Sequence, residues 1–217
     1  KIDNADKEKL LRYFQRIKIS SKRLLNLVND LLDLSKLESG QLELHLESVD
    51  LGMLTKDVID EMRTLIIDKS IDISLNDLSI DTFANIDKKQ IHQVIYNLLS
   101  NAIKYSEING KISIVLSTCI LRIEQHNRLI EVPGLAFTCT DEGVGIPDDE
   151  LDIVFDKFAQ STKTAASSGG TGLGLAICKE IIKAHQGQIY AANRYSKGVQ
   201  LTFEVPTGQQ VTLQTKY

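Results

Sequence analysis

Residues 93–106 read QVIYNLLSNAIKYS. Asn97 and Asn101 stand four residues apart and Lys104 three further on, so on a helix the two amides and the ammonium share one face. The stretch sits inside a helical pattern over 88–105, with Asp87 at the N-cap position. Asn is mildly unfavourable inside a helix, which calls for a reason. Amide oxygens suit a hard cation such as Mg2+, and a lysine suits phosphate. The plainer reading is a pair of surface Asn residues beside a buried Leu98-Leu99 ridge.

Outward from this helix the chain mixes helical and strand periodicities. Downstream, 111–124 and 129–141 read as two long strands joined by the polar turn Gln125-His126-Asn127. Residues 148–158 read as a helix, 159–170 as a Ser/Thr/Gly loop, and 174–185 as a helix. The end reads as a hairpin, 188–194 and 199–205, closed by Pro206. Upstream, 51–69 reads as a helix and 71–75 (IDISL) as a strand. Leu42, Leu44 and Leu46 alternate with charged residues, as in a short strand or an extended linker. This mixture predicts an α+β sandwich: one mixed sheet with helices on one face.

Ahead of the sandwich, apolar residues recur at helical spacing from 10 to 37: Leu10, Phe14, Ile17, then Leu24, Val28 and Leu31, with Ser21 interrupting the stripe. Leu11, Leu25, Leu27, Leu32 and Leu34 widen the arc beyond a two-stranded seam, so the helix demands several neighbours, as in a bundle. It stops near Glu38-Ser39-Gly40, where glycine supplies the left-handed cap. The chain opens at Lys1 and enters this helix almost at once, as expected of a piece of something longer.

Across all 217 residues, hydrophobic residues are 42% and charged residues 25%, which excludes wholesale disorder. A net charge of −4 argues against a polyphosphate backbone as partner, and nucleic acid is not expected. No stretch approaches the ~20 apolar residues of a membrane span. Cys119, Cys139 and Cys178 lack CxxC or Cys/His metal spacing and read as buried, reduced thiols of an intracellular protein.

Two further stretches carry chemistry. Asp141-Glu142-Gly143-Val144-Gly145-Ile146-Pro147 follows the apolar strand end LAFTC. A carboxylate there accepts a hydrogen bond from an exocyclic amine, and the glycines admit a flat ring, which fits adenine. A solvated turn uses the same residues. Gly169-Gly170-Thr171-Gly172-Leu173-Gly174-Leu175 opens a helix, where backbone N–H groups bind phosphate. No Lys-Ser/Thr pair follows, unlike a Walker A loop, and the spacing is GxGxG after a polar loop, unlike a dinucleotide fingerprint. A mobile lid remains the functional reading.

The ordered set NLLSNAIKYS, DEGVGIP, VFDKFAQ, GGTGLGLAICKEII and a terminal hairpin ending FEVP resembles the N, G1, F, G2 and G3 boxes of the sensor histidine kinase ATP-binding domain. The likeness covers roughly 51–206. LLNLVNDLLDLSKLESG (24–40) resembles the second helix of that family's dimerisation and phosphotransfer hairpin. The resemblance divides the chain into a partial hairpin helix and linker (1–50), a catalytic domain (51–206) and a polar tail (207–217), and implies the Bergerat fold with ATP and Mg2+ as cofactors. It gives Asp141 the adenine amine and Asn97 and Asn101 the metal and phosphate oxygens. Lys104 and Tyr105 would flank the nucleotide, with Asn97 and Lys104 the catalytic pair. Gly143, Gly145 and Ile146 would lie at the base. Gly170, Thr171, Gly172, Leu173 and Gly174 would bound the lid and offer phosphate amides, with Lys157 and Phe158 beginning it.

The last box departs from the family in Val199 and Gln200, where small hydroxyl residues are usual. The acceptor histidine of the family lies on the first hairpin helix, and none of His45, His92, His126 or His185 has its neighbourhood. The chain is therefore expected to bind ATP without phosphorylating itself. The implied partners are the hairpin histidine, a response regulator receiver domain and a second copy through the N-terminal helix. The implied location is the cytoplasm, with a soluble or a membrane-anchored parent. The related gyrase, Hsp90 and MutL ATPases carry a Glu where this chain has Asn97, and an amide cannot take a proton from water, so the resemblance favours a kinase over a hydrolase. An interaction module with structural or no nucleotide is the third reading.

Overall fold

The computed structural model describes residues 4–38, 43–77, 81–125, 128–163, 171–194 and 197–208. The helix α1 (Asn4–Glu38) precedes strand β1 (Glu47–Asp50), helices α2 (Leu51–Glu61) and α3 (Arg63–Asp68), and strands β2 (Asp72–Asp77) and β3 (Phe83–Ile86). Helix α4 (Lys88–Tyr105), strands β4 (Lys111–Gln125) and β5 (Arg128–Asp141), helix α5 (Gly174–Ala184) and strands β6 (Gln188–Asn193) and β7 (Val199–Pro206) complete it. Five strands form one mixed sheet in the order β2-β4-β5-β7-β6, with β2 and β4 parallel and the other pairs antiparallel. β1 and β3 form a separate antiparallel pair.

Period-two alternation decides the layers. On β4, Ile112, Ile114 and Leu116 are buried; their cross-strand neighbours on β5 and β7 include Cys139, Phe137, Leu135, Leu201, Phe203 and Val205. Phe137 and Phe203 stack with ring centres 5.0 Å apart. This face shares one core with Leu54 and Val58 of α2, with Ile91, Val94, Ile95, Leu98 and Leu99 of α4, and with Ile177 and Ile181 of α5. The opposite face carries Ser113, Ser117, Thr138, Thr140 and Gln200. The observed fold is thus the mixed sheet with helices on one face that the periodicities predict.

Two local readings change. The helix expected over 51–69 breaks at Met62, whose φ and ψ are −90° and 5°. Its buried side chain enters the core there, and α3 restarts beyond it. The helix expected over 148–158 is only the 3-10 turn Asp148–Glu150. It is followed by tight turns, such as Asp156 N–H to Ile153 O and Ala159 N–H to Asp156 O, and Phe158 takes a φ of 62° that ends any helix. Of the two readings of 42–46, a short strand or an extended linker, the second holds for residues 43–46, which form no strand and lead into β1 at Glu47–Asp50; Leu42 lies outside the described residues.

α1 docks on α5 through its C-terminal third. Leu34 is buried, and Leu27 and Leu37 pack half-buried against the core. The N-terminal two thirds expose Leu10, Leu11, Phe14, Ile17, Leu24 and Leu25.

Candidate functional site

α4 positions the first group of side chains. Its N-terminus is capped by the Asp87 carboxylate, which accepts from Gln90 N–H at 3.0 Å. At its C-terminus the Lys69 ammonium donates to the carbonyls of Ile103, Lys104 and Ser106 at 2.9, 2.8 and 2.9 Å. A cation on three terminal carbonyls satisfies acceptors the helix cannot and suits the negative end of its dipole. Lys69 thereby fixes the turn that carries Lys104 and Tyr105, and Lys104 Nζ lies 4.9 Å from the Tyr105 ring centre. No motif in the sequence marks Lys69, because its partners are backbone carbonyls about 35 residues away.

A cavity of about 210 Å3 opens beside this turn. Its polar lining includes Asn101, Lys104, Tyr105, Asp141 and Thr171, and its apolar lining Val144, Ile146, Val154, Leu175, Val199 and Leu201. Gly145, Gly172 and Gly174 complete its edge, with residues 159–161. Four segments far apart in sequence therefore meet at one cleft. Of the remaining residues named from the sequence, Asn97 stands one turn below Asn101 and donates through Nδ2 to Gly174 O at 3.3 Å and to Cys178 Sγ at 3.7 Å. It therefore ties α4 to the start of α5. Gly143, Lys157, Phe158 and Leu173 do not line the cavity: Gly143 is buried beside Asp141, Lys157 and Phe158 are exposed on the turn before residue 159, and Leu173 is fully buried in the core. Gly170 lies outside the described residues.

Asp141 sits at the end of β5 and is 4% exposed. Its Oδ1 accepts from Gly143 N–H at 2.8 Å and from Val199 N–H at 3.3 Å. Burial raises its pKa; these two donors and the Arg194 guanidinium oppose the rise without cancelling it. Glycine is required twice around it. A Cβ on Gly143 would stand 2.6 Å from Tyr105 O, and one on Gly198, with φ of +94°, would stand 1.9 Å from Asp141 O.

Gly172 has φ of +71°, its carbonyl accepts from Phe158 N–H at 3.0 Å, and a Cβ on it would meet the Phe158 backbone at 2.8 Å. The turn at 158 and the start of the α5 segment are thus clasped to each other. Glu150 holds the stretch beyond that turn: its carboxylate accepts from Thr162 Oγ1 at 2.6 Å and from Thr162 N–H. On the other side, Thr171 Oγ1 donates to Asp30 of α1 at 3.4 Å. Burial raises the Asp30 pKa, and the Thr171 hydroxyl partly offsets it. The sequence identifies the glycines; Asp30 and Glu150 have no signature in it, since their roles follow from tertiary contacts.

His185 is buried, accepts from Asp87 N–H through Nε2 at 3.0 Å and lies 2.8 Å from Ile181 O through Nδ1. His92 pairs with Glu61 at 3.1 Å, and His126 lies outside the described residues. All three cysteines are free thiols, and burial pushes Cys178 up to about 12 and Cys119 up to about 11. No group of three or more His, Cys, Asp or Glu is placed to hold a metal among the described residues, so any cation in the cleft would need the Asn amides and the oxygens of its own ligand. Such a donor set fits Mg2+, which keeps waters and takes phosphate oxygens.

A one-sided sandwich with an Asn-bearing helix, a strand-end aspartate and the glycine-bearing start of α5 around one cleft defines a nucleotide-binding class of fold. The family described as Histidine kinase-, DNA gyrase B-, and HSP90-like ATPase matches residues 86–209, and the chain belongs to it. The His Kinase A (phospho-acceptor) domain matches residues 3–40. Over 196 residues the chain is 33% identical to Sensor histidine kinase WalK of Bacillus subtilis, covering 90% of this chain and 30% of that protein. The crystal structure of full-length ShkA in complex with AMPPNP matches with a TM-score of 0.74 and 26% identity, covering 95% of this chain and 40% of that one. Histidine kinase ThkA in complex with response regulator protein TrrA matches with a TM-score of 0.71 and 27% identity, over 92% and 52%. The chain spans 11% to 31% of the length of six curated relatives that it matches. No described helix is long and apolar enough to cross a membrane.

Proposed function

We propose that this chain is the ATP-binding catalytic portion of a sensor histidine kinase, working in the cytoplasm with residues 51–206 as its catalytic domain. On this reading, residues 1–50 are the partial hairpin helix and linker, and 207–217 a tail. The observation that carries it is the convergence of Asn101 and Lys104, Asp141, Gly145 and Ile146, and Thr171 and Gly172 on a single cleft. Asp141 spends Oδ1 on two peptide donors, which leaves Oδ2 to accept the adenine amine between the Ile146 and Leu201 walls. Lys104 attracts the phosphates, and the N–H groups at the α5 start add the positive end of a helix dipole. Mg2+, held by the amide oxygens of Asn97 and Asn101, would neutralise charge on the triphosphate. An imidazole nitrogen from the first helix of a hairpin attacks the γ-phosphorus, the bond to the β–γ bridging oxygen breaks, and ADP leaves.

Asn97 separates this reading from hydrolysis. Its Nδ2 is tied to Gly174 O, and a neutral amide has no proton affinity with which to activate water. The γ-phosphoryl group is thus kept for a protein nucleophile, from which a receiver aspartate of a response regulator would take it. The complex of the ThkA relative with its regulator supports that partner. The test mixes this chain with labelled ATP, Mg2+ and a separate hairpin polypeptide bearing an acceptor histidine. Label is expected on that histidine. Rapid phosphate release without transfer would instead make the chain a hydrolase, and no ATP binding in calorimetry would leave an interaction module.

A further inference from the structure

The turn at residues 143–148 is held from outside the cleft by a side chain at the end of β6. Asn193, the last residue of β6, accepts from Ile146 N–H through Oδ1 at 3.1 Å, and its Nδ2 donates to Ile146 O and, at 2.7 Å, to Asp148 Oδ1. One planar amide thus satisfies both polar groups of a single residue's backbone, as a neighbouring strand would. The adjoining Gly145 has φ of +68°, and a Cβ on it would lie 3.3 Å from Asn193 Oδ1. The next residue, Arg194, pairs with Glu142 at 3.6 Å and donates to Asp141 O at 3.5 Å.

We propose that Asn193 is a positioning residue for base selection: it sets the Gly145-Ile146 peptide against the plane of the ring that Asp141 recognises. This rests on the adenine reading of the cleft given above. The wall opposite Asp141 then has a fixed distance from the carboxylate, and the cleft accepts one purine edge in one register. Without the amide, the turn keeps its anchors on Asp141 through Gly143 N–H and on Arg194 through Glu142, so the domain stays folded while the Ile146 wall shifts.

Asn193→Asp is the discriminating variant. It keeps an acceptor for Ile146 N–H but places a second carboxylate oxygen against Ile146 O and Asp148 Oδ1, where donors stood. Asn193→Ser is read beside it in case the carboxylate prevents folding, and the thermal melt of each variant reports its fold. ATP and GTP affinities are measured with Mg2+ by displacement of a fluorescent adenine nucleotide. The expected result is ATP affinity lowered ~10-fold, with GTP affinity changed much less, so that the ATP-to-GTP ratio collapses. Unchanged ATP affinity in a folded variant overturns the proposal, as does an equal loss for both nucleotides, which would mark a merely structural contact. If the parent chain itself fails to bind ATP, the adenine reading falls, a separate outcome from a variant that matches its parent.

Discussion

Asp141 is ionisable and buried, and among the described residues two peptide donors hold its Oδ1. Because burial raises its pKa, the folded chain holds the proton more tightly than the unfolded chain does. Its contribution to stability is therefore full below the ordinary carboxylate pKa of 3.8 and is lost as pH rises through the folded value, so at neutral pH the charge is a net cost. Asp141→Asn keeps an oxygen for both peptide donors and removes that cost. We expect the variant to melt at a higher temperature without ligand and to bind ATP on the order of 10–100-fold more weakly, since a charged acceptor becomes neutral. A lower melting temperature with intact ATP affinity in calorimetry would count against the site. His185 titrates in the other direction of consequence. Burial lowers its pKa below 6.5, against the opposing Ile181 carbonyl and Asp87 charge. The stability it contributes is present above pH 6.5 and drains as pH falls through the folded value. Protonating Nε2 also sets a donor against Asp87 N–H, breaking the bond that joins the end of α5 to the start of α4. Denaturant midpoints are expected to fall from about pH 8 to about pH 5, with His185→Gln flattening that slope and costing about 1–3 kcal/mol at neutral pH.

At the scale of elements, α1 is anchored by little. Leu34 is its one fully buried hydrophobic residue among those described, and Asp30 adds the hydrogen bond from Thr171. Leu34→Ala removes roughly 2–5 kcal/mol of packing at such a site and leaves the half-buried Leu27 and Leu37 to hold the helix. We expect amide exchange to quicken throughout α1 in this variant while the sheet and α4 keep their protection. Uniform loss of protection would instead show that α1 docking is part of the cooperative core. Elements with a strong period are legible in the sequence: α4 starts and ends where the Asp87 cap and the apolar spacing set it, and β4, β5 and β7 follow their alternation. Legibility fails where a tertiary contact decides. β3 is four residues with two buried side chains, too short for a period to show, and exists through its pairing with β1. Met62 breaks a continuous helical pattern because the core takes its side chain. Residues 151–158 have helical composition, yet the clasp between Phe158 and Gly172 dictates their path. The same division holds in the cleft. Asp141, Asn101 and the glycines stand in recognisable runs, whereas Lys69, Glu150 and Asn193 act on partners distant in sequence, and only the fold brings them near.

The whole molecule is asymmetric in where its apolar surface lies. The sandwich exposes single apolar side chains such as Ile120 and Leu129, whereas α1 runs about 50 Å and leaves Leu10, Phe14, Ile17, Leu24 and Leu25 exposed along one helix at 51%, 61%, 60%, 64% and 64%. Burying a large aliphatic or aromatic side chain fully is worth about 1.5–3 kcal/mol. Five such residues on each of two helices supply ~15 kcal/mol even at the lower figure. Association costs on the order of 4–15 kcal/mol in lost freedom, and part of each side chain is already covered, so the surplus supports a reversible dimer rather than a permanent one. A net charge of −4 on 217 residues offers little repulsion against it. We propose that two copies pair along this face, in keeping with the match of residues 3–40 to the phospho-acceptor domain. Light scattering over a concentration series is expected to rise toward twice the 24.2 kDa chain mass, and Phe14→Glu with Ile17→Glu to hold it at one chain while leaving ATP affinity unchanged. A constant single-chain mass well above micromolar concentration would refute the pairing, and a fall in ATP affinity in the double variant would show that the far end of α1 reaches the cleft.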